Sequence, residues 1–589
     1  MNRMALICRC IKENPRSTQR EIAQKLELSL GTINTLIKEC MQARLIAQGK
    51  SVAGTYELTI SGEQFLETFR VDGALIIAAG FGSRFVPLTF EMPKGLLEVF
   101  GERMIERQIR QLHEVGITDI TIAVGYLKEK FEYLIDKYQV KLLYNPEYSC
   151  KNTLTTIHRA GKLLKGRNMY VLSSDNWLRE NMFHKYECGA WYASSYMEGD
   201  TSEWVLSSNK KGRITDVQIG GRDAWVMYGP VYFSREFSER FLPLLDAAYH
   251  TPGTEQFYWE NILIQHLDEL EISINRQPAE QIYEFENLEE LRQFDPRYQN
   301  RSDNKAMELI AEVFQVSESE IHDIRCLKAG MTNKSFLFQV KGRHYICRIP
   351  GPGTELLINR QQEASVYEAI RPLEISEHIL YMNGRTGYKI AEYYEGAVNS
   401  SADNWEEVAA CMKLLHRLHD CRITVAHEFD MRERISFYER LCTAHNGPLF
   451  EDYETVHGWM EELMDHLDAL QRPKTLSHID SVADNFLFLP DGSVRLIDWE
   501  YAGMCDPLID VAMCAIYSYY DEAAVERLIQ IYLGREATGE EQFVIYAYIA
   551  LGGFLWSLWA VYKASLGEEF GEYTLIMYRY AKKYYHKLR

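Results

Sequence analysis

One segment constrains this 589-residue chain more than any other: residues 74–79 (ALIIAA) run without a polar side chain into Gly80-Phe81-Gly82 and then Arg84. An apolar run this short reads as a buried strand. The strand and helix signals that follow, among them residues 120–124 (ITIAV) and 169–173 (MYVLS), predict a mostly parallel α/β sheet over 71–300. Glycines that end such a strand let backbone N–H groups approach a triphosphate. Arg84, and Lys94 ten residues later, supply charge for an α-phosphate under attack.

The full pattern is G-x-G-x-R, then Pro87-Leu88-Thr89, then Pro93-Lys94. It resembles the nucleotidyltransferases of the sugar-phosphate and phosphocholine type, whose fold is Rossmann-like. The resemblance covers about 230 residues and implies Gly80, Gly82 and Arg84 at the phosphates of an NTP, with Lys94 at the α-phosphate. It also implies two acids on Mg²⁺. The first matches Asp175 in residues 171–177 (VLSSDNW), at a strand's C-terminal end; the second matches Glu284 or Glu286 in residues 283–291 (YEFENLEEL). The family often carries Asp at that second place, so both glutamates stay open. Asn145 and Asn152 resemble the family's acceptor segment. Trp177 and Tyr192, with Trp204 and Tyr228, offer rings for a quaternary ammonium.

A second constellation lies at residues 478–485 (HIDSVADN), with Asp498 thirteen residues beyond in 496–500 (LIDWE). Phosphoryl transfer needs a carboxylate near the attacking hydroxyl, and an acid and an amide on the metal. The spacing is similar to that of protein-kinase-like small-molecule kinases. It implies Asp480 as base, Asn485 and Asp498 as Mg²⁺ ligands, and His478 as a loop-shaping residue. Residues 327–338 (LKAGMTNKSFLF) form a glycine-turn hairpin for the ATP phosphates, with Thr332 and Asn333 near its tip. Arg348 stands where protein kinases place a lysine, and Glu363 is its helix partner. That arginine, with I-D-W-E-Y, resembles choline and ethanolamine kinases over residues 301–589. The same resemblance implies Glu500, Tyr501, Trp556 and Trp559 around choline; the two tryptophans lie three apart and share a helix face.

Residues 1–70 read as helix, turn, helix and β-wing, similar to a winged helix-turn-helix domain. The block has ten Lys/Arg against seven Asp/Glu, inside a chain of net charge −20. That overall charge excludes a protein whose whole surface grips nucleic acid. DNA contact through the second helix, or a dimerisation or regulatory role, both remain open for this block. The charge-free stretch 543–562 is long enough to span a bilayer, yet Gly552-Gly553 interrupts it and a polar tail follows, so a buried helix is expected and no membrane partner. Twelve cysteines without metal spacing suggest reduced thiols in the cytoplasm.

The sequence therefore predicts a multidomain α/β and α+β protein: a winged helix at 1–70, a nucleotidyltransferase at 71–300 and a kinase-like domain at 301–589. The combined resemblance implies choline phosphorylated by ATP, then phosphocholine coupled to CTP, both with Mg²⁺. Ethanolamine or a sugar 1-phosphate as substrate, a DNA-binding regulator that uses the domains as sensors, and a homodimer are the other readings.

Overall fold

The computed structural model describes residues 2–49, 54–329, 333–351, 354, 357–447, 449–567 and 570–589. Thr332 lies outside the described residues. The chain divides into two compact units, Met1–Glu308 with Ser317–Ser319, and Leu309–Val316 with Glu320–Arg589.

The first unit opens with helices α1 (Arg3–Glu13), α2 (Gln19–Lys25) and α3 (Leu30–Gln42), followed by an antiparallel pair, Ile46–Gln48 with Tyr56–Leu58. Local chemistry fixes the breaks. Thr18 and Glu21 form a reciprocal capping box at α2, and the Ser29 hydroxyl accepts from Thr32 N at α3; such caps contribute about 1 kcal/mol each. Ile7, Ile22, Ile33 and Ile37 close the small core. This winged helix is docked on the neighbouring sheet domain: Arg9 donates to Glu187 at 2.8 Å and to Tyr186 O at 3.1 Å, and the Tyr186 ring joins the core.

A seven-stranded sheet follows, built from β1 (Gly73–Ala78), β2 (Ile120–Val124), β3 (Lys141–Tyr144), β4 (Met169–Ser173), β5 (Trp191–Ser208), β6 (Ile214–Phe233) and β7 (Ser273–Arg276). Its order is β7-β5-β6-β4-β1-β2-β3. Strands β4, β1, β2 and β3 are parallel, and β6 joins β4 and β5 antiparallel. The unbroken apolar run at β1 now has its reason. Ala74, Ile76 and Ala78 enter one core with Ile105 and Ile109, while Leu75 enters another with Leu154, Ile157 and Phe237. A strand covered on both faces has no polar side to show. Three helices bear on the site: α4 (Thr153–Arg159), α5 (Arg235–Tyr249) and α6 (Trp259–Gln265).

The second unit has a five-stranded antiparallel sheet of β8 (His322–Ala329), β9 (Asn333–Val340), β10 (Arg343–Pro350), β11 (Ile379–Met382) and β12 (Lys389–Glu392), in the order β8-β9-β10-β12-β11. Helix α7 (Arg360–Ile370) comes between β10 and β11, and a helical lobe follows. The candidate membrane stretch is helix α9 (Gly539–Ser565), packed among α8 (Leu508–Tyr517), Met431–Ala444 and Tyr573–Lys587. Its apolar window is 89 % buried within the protein, which accounts for a surface without charge.

Candidate active sites

In the first unit the glycine turn follows β1. Gly82 adopts φ +67°, and a Cβ there would sit 3.2 Å from Thr89 Cγ2 and 3.3 Å from Lys94 Cβ. Only glycine holds that backbone without strain. At Gly80 nothing stands within 4 Å of where a Cβ would lie, so that side is open to a ligand.

Lys94 Nζ donates to Asp175 Oδ2 at 2.7 Å, and Ser173 Oγ donates to the other carboxylate oxygen at 2.8 Å. Burial alone would raise the Asp175 carboxyl, but Lys94, helped by the Ser173 hydroxyl, offsets it and the group lies below its ordinary value. Glu284 accepts from Asn176 Nδ2 at 3.0 Å, and its carboxyl is pushed up to about 7, chiefly by the negative charge of Asp175 and then by burial. Glu286 instead pairs with Arg84. Two facing carboxylates that repel each other suit a divalent cation, which removes the repulsion. Asp175 and Glu284 fit Mg²⁺ in this way, because each feels the other's charge; Glu286 is more exposed and faces Arg84.

Beside these groups lies a cavity of about 210 Å³, lined in part by Tyr192, Tyr228, Tyr258, Trp259, Glu203 and Glu260. Tyr192 stacks on Trp259 at 6.0 Å and donates to Glu260 Oε1 at 3.2 Å. Glu260 Oε2 is buried with no hydrogen-bond partner, and burial pushes this carboxyl up to about 7. Sequence reasoning missed Glu260; its signal was an acid directly after Tyr258-Trp259 at a helix start.

Other expected acceptor residues are placed differently. Trp177 is only 7 % exposed; Arg107 covers it at 4.5 Å, and Phe100, Phe294 and Tyr283 take its edges, so its ring is not brought to the cavity. Asn145 is buried, with its amide donating to Thr156 Oγ1 and its carbonyl accepting from Glu147 N. Asn152 caps α4 and donates to Gln256 O. Both asparagines shape the segments beside the cavity.

In the second unit Asn485 Nδ2 donates to Asp480 Oδ2 at 3.0 Å and to Asp480 O at 2.8 Å. Burial first, and the charge of Asp498 as well, raise the Asp480 carboxyl. Asp498 occupies the left-handed region at φ +67°, and its Oδ1 is buried without a hydrogen-bond partner 3.9 Å from Arg348. An orphaned carboxylate oxygen with an amide and a second acid nearby fits a cation again; Asn485 and Asp498 would hold it. Arg348 on β10 forms a two-pronged pair with Glu363 on α7, both fully buried. The Arg348 charge holds Glu363 down at about 2 although burial alone would raise it.

His478 does shape the loop, through Nε2 and Ile497 O at 3.0 Å. A second positioning residue was not foreseen. Asp510 on α8 is fully buried and accepts from the backbone N–H of His478 at 2.8 Å and of Ile479 at 2.7 Å, with His419 Nε2 at 2.9 Å. Asp510→Ala should leave those donors unpaired and cost about 3–5 kcal/mol, as other broken buried charge pairs do. Denaturant unfolding of the full chain would show it, with kinase activity lost and the nucleotidyl transfer step retained.

Tyr501 and Tyr517 meet Trp556 at 5.6 and 5.8 Å, and Trp559 adjoins it at 6.3 Å. Tyr517 lies near Asp480; burial, and then that negative charge, raise the Tyr517 hydroxyl. The Glu500 carboxylate is held elsewhere, by Asn333 Nδ2 at 2.8 Å and Arg360 at 3.2 Å. Burial, and then the charge of Asp498, push this carboxyl up to about 8 in spite of Arg360. Asn333 therefore serves this network at the start of β9.

Known proteins resemble this chain in three separate segments. Family models match three segments: "Winged helix-turn-helix DNA-binding" at residues 6–47, "Nucleotidyl transferase" at 73–188 and "Phosphotransferase enzyme family" at 323–543. The choline-phosphate cytidylyltransferase of Streptococcus pneumoniae is 32 % identical over 229 residues, which is 39 % of this chain and 99 % of that protein. The chain belongs to the nucleotidyl transferase family. A second nucleotidyl transferase, the 2-aminoethylphosphonate cytidylyltransferase of Lancefieldella rimae, is 36 % identical over 227 residues, 38 % of this chain and 92 % of that protein. A solved structure of choline kinase LicA from Streptococcus pneumoniae shares 29 % identity over 48 % of this chain and 97 % of that one, with a TM-score of 0.42. This nucleotidyl transferase thus also carries a winged helix and a phosphotransferase-family kinase domain.

Proposed function

We propose that the chain makes CDP-choline in two steps. The kinase domain phosphorylates choline with ATP, and the nucleotidyltransferase domain joins phosphocholine to CTP with release of pyrophosphate. Asp480 would take the choline hydroxyl proton as the oxygen attacks the γ-phosphorus and the bond to the β–γ bridging oxygen breaks to release ADP. Asn485 and Asp498 would hold Mg²⁺ to offset charge on the phosphates. In the second step the phosphocholine oxygen displaces pyrophosphate at the α-phosphorus of CTP. Lys94 and Arg84 would stabilise the charge there, and Mg²⁺ on Asp175 and Glu284 would orient the phosphates.

The observation that carries choline is the aromatic box of Tyr501, Tyr517 and Trp556 against Asp480. A trimethylammonium group donates no hydrogen bonds and is held by ring faces and a nearby carboxylate. The kinase domain itself argues against 2-aminoethylphosphonate as acceptor. That molecule already carries its phosphorus on carbon and has no hydroxyl to phosphorylate. Purified protein given ATP, CTP and choline should release pyrophosphate only when all three are present. Equal turnover with ethanolamine would overturn the choline assignment.

Glu260 would attract the same cation in the second site. Glu260→Gln should raise the acceptor KM roughly tenfold, the scale of one cation–carboxylate contact in a dry pocket. In the wild type the charged carboxylate binds the cation, so acceptor KM should rise as pH falls through about 7. Comparison with the Gln variant isolates this group from the acceptor's own phosphate.

DNA contact by the winged helix is a second reading, supported by Asn34, Thr35 and Lys38, which stand exposed on α3. A gel-shift titration should show salt-sensitive binding; binding that is absent or indifferent to salt would remove this role.

A further inference from the structure

Apart from both catalytic centres, helices α4 and α5 bring two imidazoles and a carboxylate to one surface point. His158 lies in the last turn of α4, Asp246 in the last turn of α5, and His250 caps α5. The four-residue spacing puts Asp246 and His250 on one helix face. His158 Nε2 is 2.8 Å from Asp246 Oδ1, and His250 Nε2 is 3.9 Å from the same oxygen; donor atoms of all three lie within 4.8 Å of one another. Ligands at about 2.0–2.1 Å around a tetrahedral ion stand roughly 3.3 Å apart, so small side-chain rotations suffice to enclose one. The His158 ring is already fixed: Tyr249 stacks flat on it at 3.8 Å and 8°, and the Tyr249 hydroxyl donates to Glu147.

We propose that His158, Asp246 and His250 bind a zinc-class divalent cation. Two imidazoles and one carboxylate suit a borderline ion such as Zn²⁺ better than Mg²⁺, which prefers oxygen alone. The site has a structural consequence. His250 begins the connection that delivers Tyr258, Trp259 and Glu260 to the cavity. That connection is pinned to the start of α4: Glu255 O accepts from Asn152 N at 2.9 Å, Phe257 O from Leu154 N at 3.3 Å, and Thr153 Oγ1 from Trp259 N at 3.3 Å. A cation would clasp the C-terminal end of α4 to that of α5 and stiffen the start of the connection that leads from α5 to α6. Its effect on acceptor binding rests on the cytidylyltransferase reading; the binding itself does not.

The test uses the full chain stripped with chelator and titrated with ZnCl₂ in a calorimeter, with Co²⁺ as a visible-absorption probe. Wild type should bind one ion at this site with micromolar or tighter affinity and show tetrahedral Co²⁺ bands. His158→Ala and His250→Ala should each weaken binding by at least ~10-fold, on the scale seen when metal-site partners are removed. Asp175→Asn should leave it intact. Binding unchanged in both histidine variants, or lost only in Asp175→Asn, would overturn the site. Hydrogen exchange over residues 250–260 should slow with zinc in wild type and not in His250→Ala. Zinc binding without that protection would remove the coupling to the cavity.

Discussion

Asp480→Asn should abolish phosphocholine formation while CDP-choline synthesis from added phosphocholine continues at the wild-type rate. The substitution keeps the size of the side chain and removes its capacity to accept a proton. General-base contributions are typically 10²–10⁴-fold, so kcat for choline phosphorylation should fall by about that factor. Burial makes the loss sharper. The Asp480 carboxyl is raised by desolvation and by Asp498, which brings its proton affinity closer to that of a useful base. The fold should tolerate the change, because an amide can still meet Asn485 and Tyr517. Separate assays with choline and with phosphocholine decide the matter. Loss of both activities would mean that the two centres do not work independently, and retention of both would remove Asp480 from the chemistry.

The same residues show what a sequence can and cannot disclose. The spacing of Asp480, Asn485 and Asp498 was legible as a motif because one loop and the antiparallel strands Phe486–Phe488 and Val494–Leu496 after it hold them, so their separation along the chain is fixed by local geometry. The β1 strand and the glycine turn were legible for the same reason. Asp510 was not: it reaches the loop from a helix about thirty residues on, and an acid in an apolar helix has no signature until its donors are seen. Glu260 had a faint local cue but needed the Tyr192 ring from a distant strand to become a pocket wall. Trp177 misled because proximity to Asp175 in sequence says nothing of which face a ring presents, and Arg107 had taken that face. The choice between Glu284 and Glu286 likewise turned on partners, Asp175 for one and Arg84 for the other. The docking of the winged helix through Arg9 and Glu187 joins residues 178 apart, beyond any pattern of spacing.

Lys94→Ala should do the reverse of Asp480→Asn, leaving phosphocholine synthesis intact and stopping the transfer of CMP from CTP to phosphocholine. Removing one preorganised cation from a site of developing charge typically costs 10²–10³-fold in kcat. Here the balance of the acid pair changes as well. Lys94 is the largest of the groups that keep the Asp175 carboxyl below its ordinary value against burial, and Asp175 in turn is the main cause of the raised Glu284. Without the ammonium the two carboxylates face each other with no counter-charge but a bound metal. The acid pair should therefore hold Mg²⁺ at least as tightly as before, and the variant should turn over slowly with a Mg²⁺ requirement no higher than the wild type's. Lys94→Arg should not restore activity, because a planar guanidinium cannot occupy the point-charge position 2.7 Å from Asp175 beside the Gly82 turn. Pyrophosphate release with added phosphocholine, measured across a Mg²⁺ series, reads both effects at once. Unchanged kcat in Lys94→Ala would place the α-phosphate elsewhere, and full rescue by arginine would reduce Lys94 to a charge without a position.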